Sequence, residues 1–240
     1  ERDEVRKNSN VLVPNIGVNI ENFRKILDRN NFFETVKLTS EDLKRPDSIR
    51  ASIESSKTVE NYGNYNEYLK SLEMKAEIKE VDNVSKDRFF QLINKTNQFN
   101  LTLEKINLNE LSYMDRNNNM LALTASLTDK FSEYGIVSAI YGKITSDNEI
   151  DIKVWVMSCR VFKRTLEFAI FDKFAYLCKK LEIKKINGFF KKSDRNGIVE
   201  NLYKELGFQE IKKTKNSSQW SLDIRTNLDF LNKKTKIYYE

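Results

Sequence analysis

Residues 121–158, LALTASLTDKFSEYGIVSAIYGKITSDNEIDIKVWVMS, contain three segments in which apolar side chains largely alternate with polar or small ones. Side chains two positions apart lie on the same face of a β-strand, so this alternation predicts strands over 121–127, 136–144 and 150–156. A turn over 132–135 joins the first strand to the second. Because such short connections join antiparallel neighbours, we predict an antiparallel three-stranded meander.

The sequence on the C-terminal side of the meander alternates between helix and strand patterns. A long helix is predicted by five apolar residues that share one helical face: Leu166, Ile170, Phe174, Leu177 and Leu181. A strand over 186–190, a helix over 196–206 that Gly207 ends, and a closing strand region over 208–224 follow.

The sequence on the N-terminal side of the meander begins with another strand. Met74, Ala76 and Ile78 alternate with charged residues, which predicts a half-buried strand. Ser85 is expected to cap a helix, and a second helix is expected over 102–113. The element order is strand, two helices, three strands, helix, strand, helix and strand, which indicates an α/β fold.

The first 72 residues have a different character. Residues 20–72 are helical in pattern and strongly charged, and Pro46 is expected to kink or restart a helix there. The chain opens within a predicted helix over 1–7, followed by a short apolar run over 11–13 that Pro14 stops. A lone strand is not stable, so we expect that this run paired with a sheet of a longer protein from which the chain derives.

The composition excludes several kinds of chemistry. The 240 residues include no histidine, which rules out a Ser-His-Asp triad, a Cys-His pair and a zinc site with histidine ligands. No glycine-rich phosphate loop is present. The two cysteines, Cys159 and Cys178, are too few for a disulfide framework or a four-thiolate zinc site. We therefore expect no metal and a reducing, cytoplasmic compartment.

The charge pattern favours an acidic partner over nucleic acid. The net charge is +6, but 41 basic residues are interleaved with 35 acidic ones, and no nucleic-acid-binding motif occurs. Solvated surface lysines account for most of this charge, and small acidic carrier proteins or phosphates are candidate partners. No apolar stretch is long enough to predict a membrane-spanning helix.

The element order is similar to that of GNAT-type acyltransferases, which have a mixed central sheet flanked by helices. Residues 203–208, YKELGF, resemble the late Tyr-x-x-x-Gly-Phe element of that family. Three further segments resemble the C-terminal half of FkbH-like proteins: TNQFNLT at 96–102, MSCRV at 157–161 and LTSED at 38–42. The opening ERDEVR resembles the segment after the last HAD-phosphatase motif of that family, and the similarity covers most of residues 1–210.

The resemblance implies a role in carrier-protein chemistry. FkbH-like proteins join a HAD-type phosphatase half to a GNAT-like half, and they load a glyceryl unit from 1,3-bisphosphoglycerate onto the phosphopantetheine thiol of an acyl carrier protein, for polyketide or surface-polysaccharide biosynthesis. This chain would be the acyltransferase half, since the Asp-x-Asp nucleophile motif of the HAD half is absent. The implied domains are a HAD-like remnant over 1–19, a helical linker over 20–72, a GNAT-like domain over 73–225 and a basic tail over 226–240.

The resemblance also implies two catalytic residues. Cys159 ends the fourth strand of the GNAT-like core, where the thioester of a pantetheine arm is expected, and nearby cations would favour the thiolate as acyl acceptor. Tyr203 would protonate a leaving thiolate, although the pattern favours an ordinary half-buried helix tyrosine. Cys178 is expected to be an inert core thiol.

The implied substrate-binding residues are cations and amides. Arg160 and Arg164 would hold a phosphate, in a loop where GNAT enzymes have two glycines and this chain has Lys163 and Thr165. Four residues with side-chain amides are further candidates: Asn97, Gln98, Asn100 and Asn196. The alternatives are a self-satisfied turn for the first three and a helix N-cap for Asn196.

Three functions are compatible with these residues. The first is acyl transfer to or from a carrier-protein thiol, without a covalently bound cofactor. The second is acetyl transfer from acetyl-coenzyme A to an amine, which the missing loop glycines disfavour. The third is a non-catalytic module that docks a carrier protein for the HAD-like domain missing from this chain.

Overall fold

The computed structural model describes residues 2–8, 13, 15, 17–29, 40–57, 62–107, 109–111, 119–146, 148–225 and 237–239. The chain forms two compact units, residues 1–39 and residues 40–240. The first unit contains helix α1 (Arg2–Asn8), which confirms the predicted opening helix, and helix α2 (Phe23–Arg29). The predicted strand at 11–13 lies largely outside the described residues.

The second unit is a mixed α/β structure. Its elements are α3 (Ser40–Lys57), α4 (Tyr65–Ser71), β1 (Lys75–Glu80), α5 (Lys86–Lys95), β2 (Phe99–Asn100), β3 (Met120–Thr128), β4 (Glu133–Ser146), β5 (Glu149–Met157), α6 (Leu166–Lys180), β6 (Lys185–Lys191), α7 (Leu202–Glu205), β7 (Gln209–Lys213), β8 (Ser217–Asp223) and β9 (Tyr238–Tyr239).

The strands form one mixed sheet in the order β7-β8-β6-β5-β4-β3-β1-β9, with β2 paired to β5. The β3-β4-β5 meander is antiparallel as predicted, whereas β5 and β6 are parallel. Helix α6 packs on one face through Ile170 and Phe174, and helix α5 packs on the other through Phe89 and Ile93. The predicted α/β fold with a mixed central sheet flanked by helices is therefore confirmed.

The buried side chains of strand β5 switch from one face of the sheet to the other along the strand. Ile152 faces the α6 side of the sheet, whereas Val154 belongs to the cluster under α5. The strand itself was predicted, but a β-bulge interrupts its alternation, since Val154 lies opposite Tyr141 and Ile152 opposite Gly142. Beyond the bulge, Trp155 faces the α6 side.

Strands β5 and β6 pair only at their beginnings, over residues 149–151 and 185–187. Residues Phe99–Leu101 lie between the two strands beyond that point. Phe99 pairs with Met157 of β5, and the backbone N–H of Lys191 in β6 donates to the carbonyl oxygen of Leu101 at 2.8 Å. The chain itself thus closes the gap between two diverging strands.

The pairing of residues 99–101 explains why the helix predicted over 102–113 was wrong. Leu103 has a left-handed backbone with a φ of 61°, and the Thr102 hydroxyl donates to the carbonyl oxygen of Lys153 at 2.7 Å. Of the described residues in that range, 109–111 are helical. Local helix propensity is overridden here by contacts with the sheet.

Other helix predictions needed smaller corrections. The helix predicted over 196–206 is a 3₁₀ turn at Gly197–Val199 followed by α7, and Gly207 ends it with a φ of 85°. Helix α3 does not restart at Pro46 but continues through it. The closing strand region predicted over 208–224 is an antiparallel hairpin of β7 and β8.

The segments outside the predicted 73–225 domain contribute to the same unit. Tyr68, Leu69 and Leu72 are buried in the core beneath the sheet, and α3 belongs to the unit that begins at Ser40. From the expected tail, β9 pairs in parallel with β1.

Candidate functional site

A cavity of about 480 Å³ lies where β5 ends, and we call it the arginine cavity. Its charged lining consists of five cations: Arg45 from α3, Arg88 and Lys95 from α5, Arg160 after β5, and Arg195 after β6. The described residues that line it include no Asp or Glu. The described lining is therefore rich in cationic side chains.

Cys159 lies in the wall of this cavity and is exposed. Strand β5 ends at Met157, so Cys159 does not end the strand as predicted but lies two residues beyond it, in a 3₁₀ turn. The turn is fixed by the backbone N–H of Ser158, which donates to the carbonyl oxygen of Val137 at 2.7 Å. Cys178 is fully buried in α6, and burial raises its pKa, as expected for an inert thiol.

Arg160 is buried at the base of the arginine cavity. Its guanidinium donates to the hydroxyl oxygens of Ser48 at 2.5 Å and Ser158 at 3.2 Å. Burial lowers its pKa, and the positive charges of Arg88 and Arg45 lower the pKa further. Three cations thus lie close together at this site.

Arg164 lies outside the cavity lining, in a buried network. Its guanidinium forms an ion pair with the Asp129 carboxylate, donates to the Tyr134 hydroxyl at 3.0 Å and lies over that ring. Burial raises the pKa of Tyr134 to about 12. This placement does not support the predicted phosphate contact; Arg164 instead anchors the loop after β5.

The candidate amides divide into two groups. Asn97 and Gln98 are exposed and line the arginine cavity. Asn100 is buried and accepts a hydrogen bond from the backbone N–H of Leu103 at 2.8 Å, as the turn interpretation expects. Asn196 is also buried; its side-chain amide donates to the carbonyl oxygens of Asn100 at 2.9 Å and Lys191 at 2.8 Å. It makes no capping hydrogen bond, and it holds residues 99–101 against β6.

Tyr203 lies in the core, away from the arginine cavity. The side chain is fully buried, its hydroxyl has no hydrogen-bond partner among the described residues, and burial raises its pKa. Its ring occupies the space beside Gly188, where a Cβ would lie 2.5 Å from the ring Cζ. This position supports the packing interpretation and not the predicted role as proton donor.

The loop after β5 keeps a glycine-like backbone without glycine. Lys163 and Thr165 have φ values of 62° and 64°, at the two positions where the GNAT pattern has glycines. The left-handed conformation costs a non-glycine residue about 1 kcal/mol or more. The Tyr65 hydroxyl donates to the carbonyl oxygen of Lys163 at 2.8 Å and stabilises this conformation.

A second cavity, of about 150 Å³, adjoins this loop and shares Met157 and Phe162 with the arginine cavity. Glu167 and Glu205 line it. One carboxylate oxygen of Glu167, Oε2, is buried without a hydrogen-bond partner among the described residues. Burial, and secondarily the charge of Glu205, raises the pKa of Glu167 to about 7.

These observations test the fit of coenzyme A to this region. A pyrophosphate beside the loop would meet the Lys163 and Thr165 side chains and the nearby carboxyl groups of Glu167 and Glu205. The residues of this loop therefore do not fit the pyrophosphate that distinguishes coenzyme A from a carrier-bound phosphopantetheine.

Several site residues were missed by sequence analysis. Arg88, Gln91 and Lys95 are spaced by three and four residues, a signal for one polar helix face that the sequence does contain. Arg45 and Arg195 come from distant segments, and no local pattern connects them with Cys159. No group of three potential metal ligands occurs among the residues that the structure describes.

No helix in the described part of the chain is long and apolar enough to cross a membrane.

Comparison with known proteins gives matches at the level of structure. No family model and no curated protein sequence matches this chain. The structure is similar to the ribosomal-protein-S18-alanine N-acetyltransferase from Escherichia coli, with 12% identity over 63% of this chain and 96% of that one and a TM-score of 0.48. An acetyltransferase of the GNAT family from Staphylococcus aureus has 16% identity over 62% of this chain and 99% of its own, with a TM-score of 0.48. A probable acetyltransferase from Staphylococcus epidermidis has 10% identity, covers 62% and 98%, and has a TM-score of 0.47.

Proposed function

We propose that this chain is the acyltransferase half of an FkbH-like protein and that Cys159 exchanges a glyceryl-type acyl group with the phosphopantetheine thiol of an acyl carrier protein. The observation that carries this proposal is the exposed position of Cys159 in the wall of the arginine cavity. A thiol that is both accessible and surrounded by cations is suited to thioester exchange.

The exchange needs no cofactor. Cys159 loses its proton to solvent, and its sulfur forms a bond to the carbonyl carbon of the carrier thioester. The bond from that carbon to the carrier sulfur breaks, and the leaving thiolate takes up a proton from solvent. One thioester replaces another, so atoms, charge and bond types balance.

The charges around the cavity suit an acidic partner. Arg45, Lys95 and Arg195 line the cavity from three separate elements, and no described acidic residue lines it. An acidic carrier protein that approaches Cys159 would meet these cations first. The missing HAD-like half would supply the acyl group to the same carrier.

The two alternatives differ in what they require of Cys159. Acetyl transfer from acetyl-coenzyme A needs a loop that accepts a pyrophosphate, and here Lys163 and Thr165 stand in place of the two glycines of that loop. A docking module needs the cations of the cavity but not the thiol.

The experiment compares two cysteine variants after exposure to a glyceryl carrier-protein thioester. Intact mass spectrometry is expected to show the acyl mass on wild type and on Cys178→Ala but not on Cys159→Ala. If Cys159→Ala acquires the same mass, the covalent mechanism is wrong. Carrier binding without any acyl mass on wild type would favour the docking module.

A further inference from the structure

The cavity of about 150 Å³ beside the loop after β5 has mostly apolar walls, and we call it the glutamate cavity. A cavity of this volume can hold benzene, so there is room for about six non-hydrogen atoms. Its apolar lining consists of Phe99, Met157, Phe162, Ile198, Val199 and Leu202. Ligand pockets in proteins commonly combine such walls with a few polar groups that orient the ligand.

The carboxyl group of Glu167 is the polar group inside the glutamate cavity. Its oxygen Oε2 is buried, and no described residue donates a hydrogen bond to it. Lys163 also lines the cavity, but its side chain is exposed and is not a donor to this oxygen. Burying a carboxyl oxygen without a donor is costly, so a ligand that brings a donor or a positive charge would stabilise this arrangement.

The charged groups on the lining determine the sign of the ligand. They are the carboxyl groups of Glu167 and Glu205 and the ammonium group of Lys163. Two carboxylates and one ammonium give a net charge of −1, which a ligand with one positive charge neutralises. Burial, and then the charge of Glu205, raises the pKa of Glu167, so the two carboxyl groups repel each other when both are ionised.

The walls determine the kind of cation. No group of three potential metal ligands occurs among the residues that the structure describes, and hard metal ions need several oxygen ligands. An organic ammonium ion uses the whole cavity, because its charged end can lie at the carboxyl group while its carbon chain packs against the apolar side chains. The rings of Phe99 and Phe162, whose centroids are 6.0 Å apart, favour a cation further.

We propose that the glutamate cavity binds a small primary amine in its ammonium form, with the carboxyl group of Glu167 as its anchor and the exposed Glu205 at the rim. The carbon chain of this amine has about four atoms, as the volume of the cavity allows. The ligand has the opposite charge to the phosphate groups that the resemblance implies. This inference goes beyond the proposed function and does not depend on acyl transfer at Cys159.

The test is a ligand-detected NMR titration of the full chain at pH 8 with three compounds of similar size: n-butylammonium, 1-butanol and butyrate. We expect n-butylammonium to bind at least about tenfold more tightly than 1-butanol, and butyrate not to bind. Equal affinity for the amine and the alcohol would show that only the apolar walls bind a ligand, and it would overturn the proposal. Binding of butyrate, or absence of amine binding at millimolar concentration, would also overturn it.

The pH dependence of amine binding gives a second readout. The pKa of Glu167 is about 7, so at pH 6 the amine must displace a proton from the carboxyl group, whereas at pH 8 the group is mostly ionised. The amine itself stays protonated at both pH values, since its pKa is about 10, as for a lysine side chain. We expect roughly tenfold higher affinity at pH 8 than at pH 6. Equal affinity at both values would contradict Glu167 as the anchor.

Variants assign the binding to the cavity. Glu167→Gln is expected to weaken n-butylammonium binding at pH 8 at least about tenfold and to remove its pH dependence. Glu205→Gln, at the exposed rim, is expected to weaken binding less and tests the same site independently. Glu182→Gln removes an exposed carboxylate outside the cavity and is expected to bind like wild type. Equal weakening in Glu182→Gln and Glu167→Gln would show non-specific charge attraction and contradict the proposal.

One further variant separates this proposal from the proposed function. Cys159 is not on the lining of the glutamate cavity, so Cys159→Ala is expected to keep the amine affinity of wild type while it loses acyl capture. Amine binding without acyl capture in wild type would refute acyl transfer and leave the amine site standing. Acyl capture without amine binding would do the reverse. Loss of amine binding in Cys159→Ala would place the amine elsewhere and contradict the proposal.

Discussion

At the scale of single residues, Glu167 is the group whose environment changes its chemistry most clearly. Burial raises the pKa of its carboxyl from 4.5 to about 7. Between these two values the folded protein holds a proton that the unfolded chain has released, so the free energy of unfolding falls as the pH rises through this window.

Relative to wild type, Glu167→Gln is therefore expected to have a higher free energy of unfolding at pH 8 than it has at pH 5. Glutamine does not ionise, so the variant escapes the cost of burying a charge, which is at most about 3 kcal/mol. Urea denaturation at both pH values measures the effect. The matched control is Glu182→Gln, an exposed glutamate just after α6, for which no such pH difference is expected. An equal pH dependence in wild type and Glu167→Gln would contradict the raised pKa.

Gly188 is a second residue whose role is set by one contact. A Cβ at this position would lie 2.5 Å from the Cζ of the Tyr203 ring, so Gly188→Ala is expected to destabilise the fold by about 1–3 kcal/mol. Gly197→Ala is the control, because nothing lies within 4 Å of a Cβ there. If thermal or urea unfolding shows the same stability for both variants, the packing role of Tyr203 is contradicted.

At the scale of elements, the outcome of sequence analysis followed the strength of the local pattern. The meander and the long helix α6 have many regularly spaced apolar residues, and both were predicted. Strand β2 has two residues, Phe99 and Asn100, and its pairing with β5 depends on residues more than fifty positions away. No local pattern contains that information, and the neighbouring helix prediction failed for the same reason.

The loop after β5 leads to a prediction about coenzyme A. Lys163 and Thr165 stand in place of two glycines there, and Glu167 and Glu205 line the cavity beside the loop, so a pyrophosphate would meet side chains and carboxyl groups. Calorimetry is therefore expected to show no binding of acetyl-coenzyme A at tens of micromolar. A dissociation constant in the low micromolar range would contradict this view of the loop and favour the acetyltransferase alternative.

At the scale of the whole molecule, the arginine cavity exists only after folding. Its cations come from α3, from α5, from the turn after β5 and from the loop after β6. The sequence pointed to Cys159, Arg160, Asn97 and Gln98, which the fold brings to this cavity. It did not separate them from Arg164, Asn100, Asn196 and Tyr203, because burial and ion pairing are properties of the folded chain.

The proposed acyl transfer depends most directly on which residue carries the acyl group. Wild-type protein is mixed with a glyceryl carrier-protein thioester, quenched in acid, digested and mapped by mass spectrometry. We predict that the acyl mass lies on the peptide that contains Cys159 and that added carrier thiol removes it. An unmodified Cys159 peptide, or an acyl mass that resides elsewhere on the chain, would contradict the account.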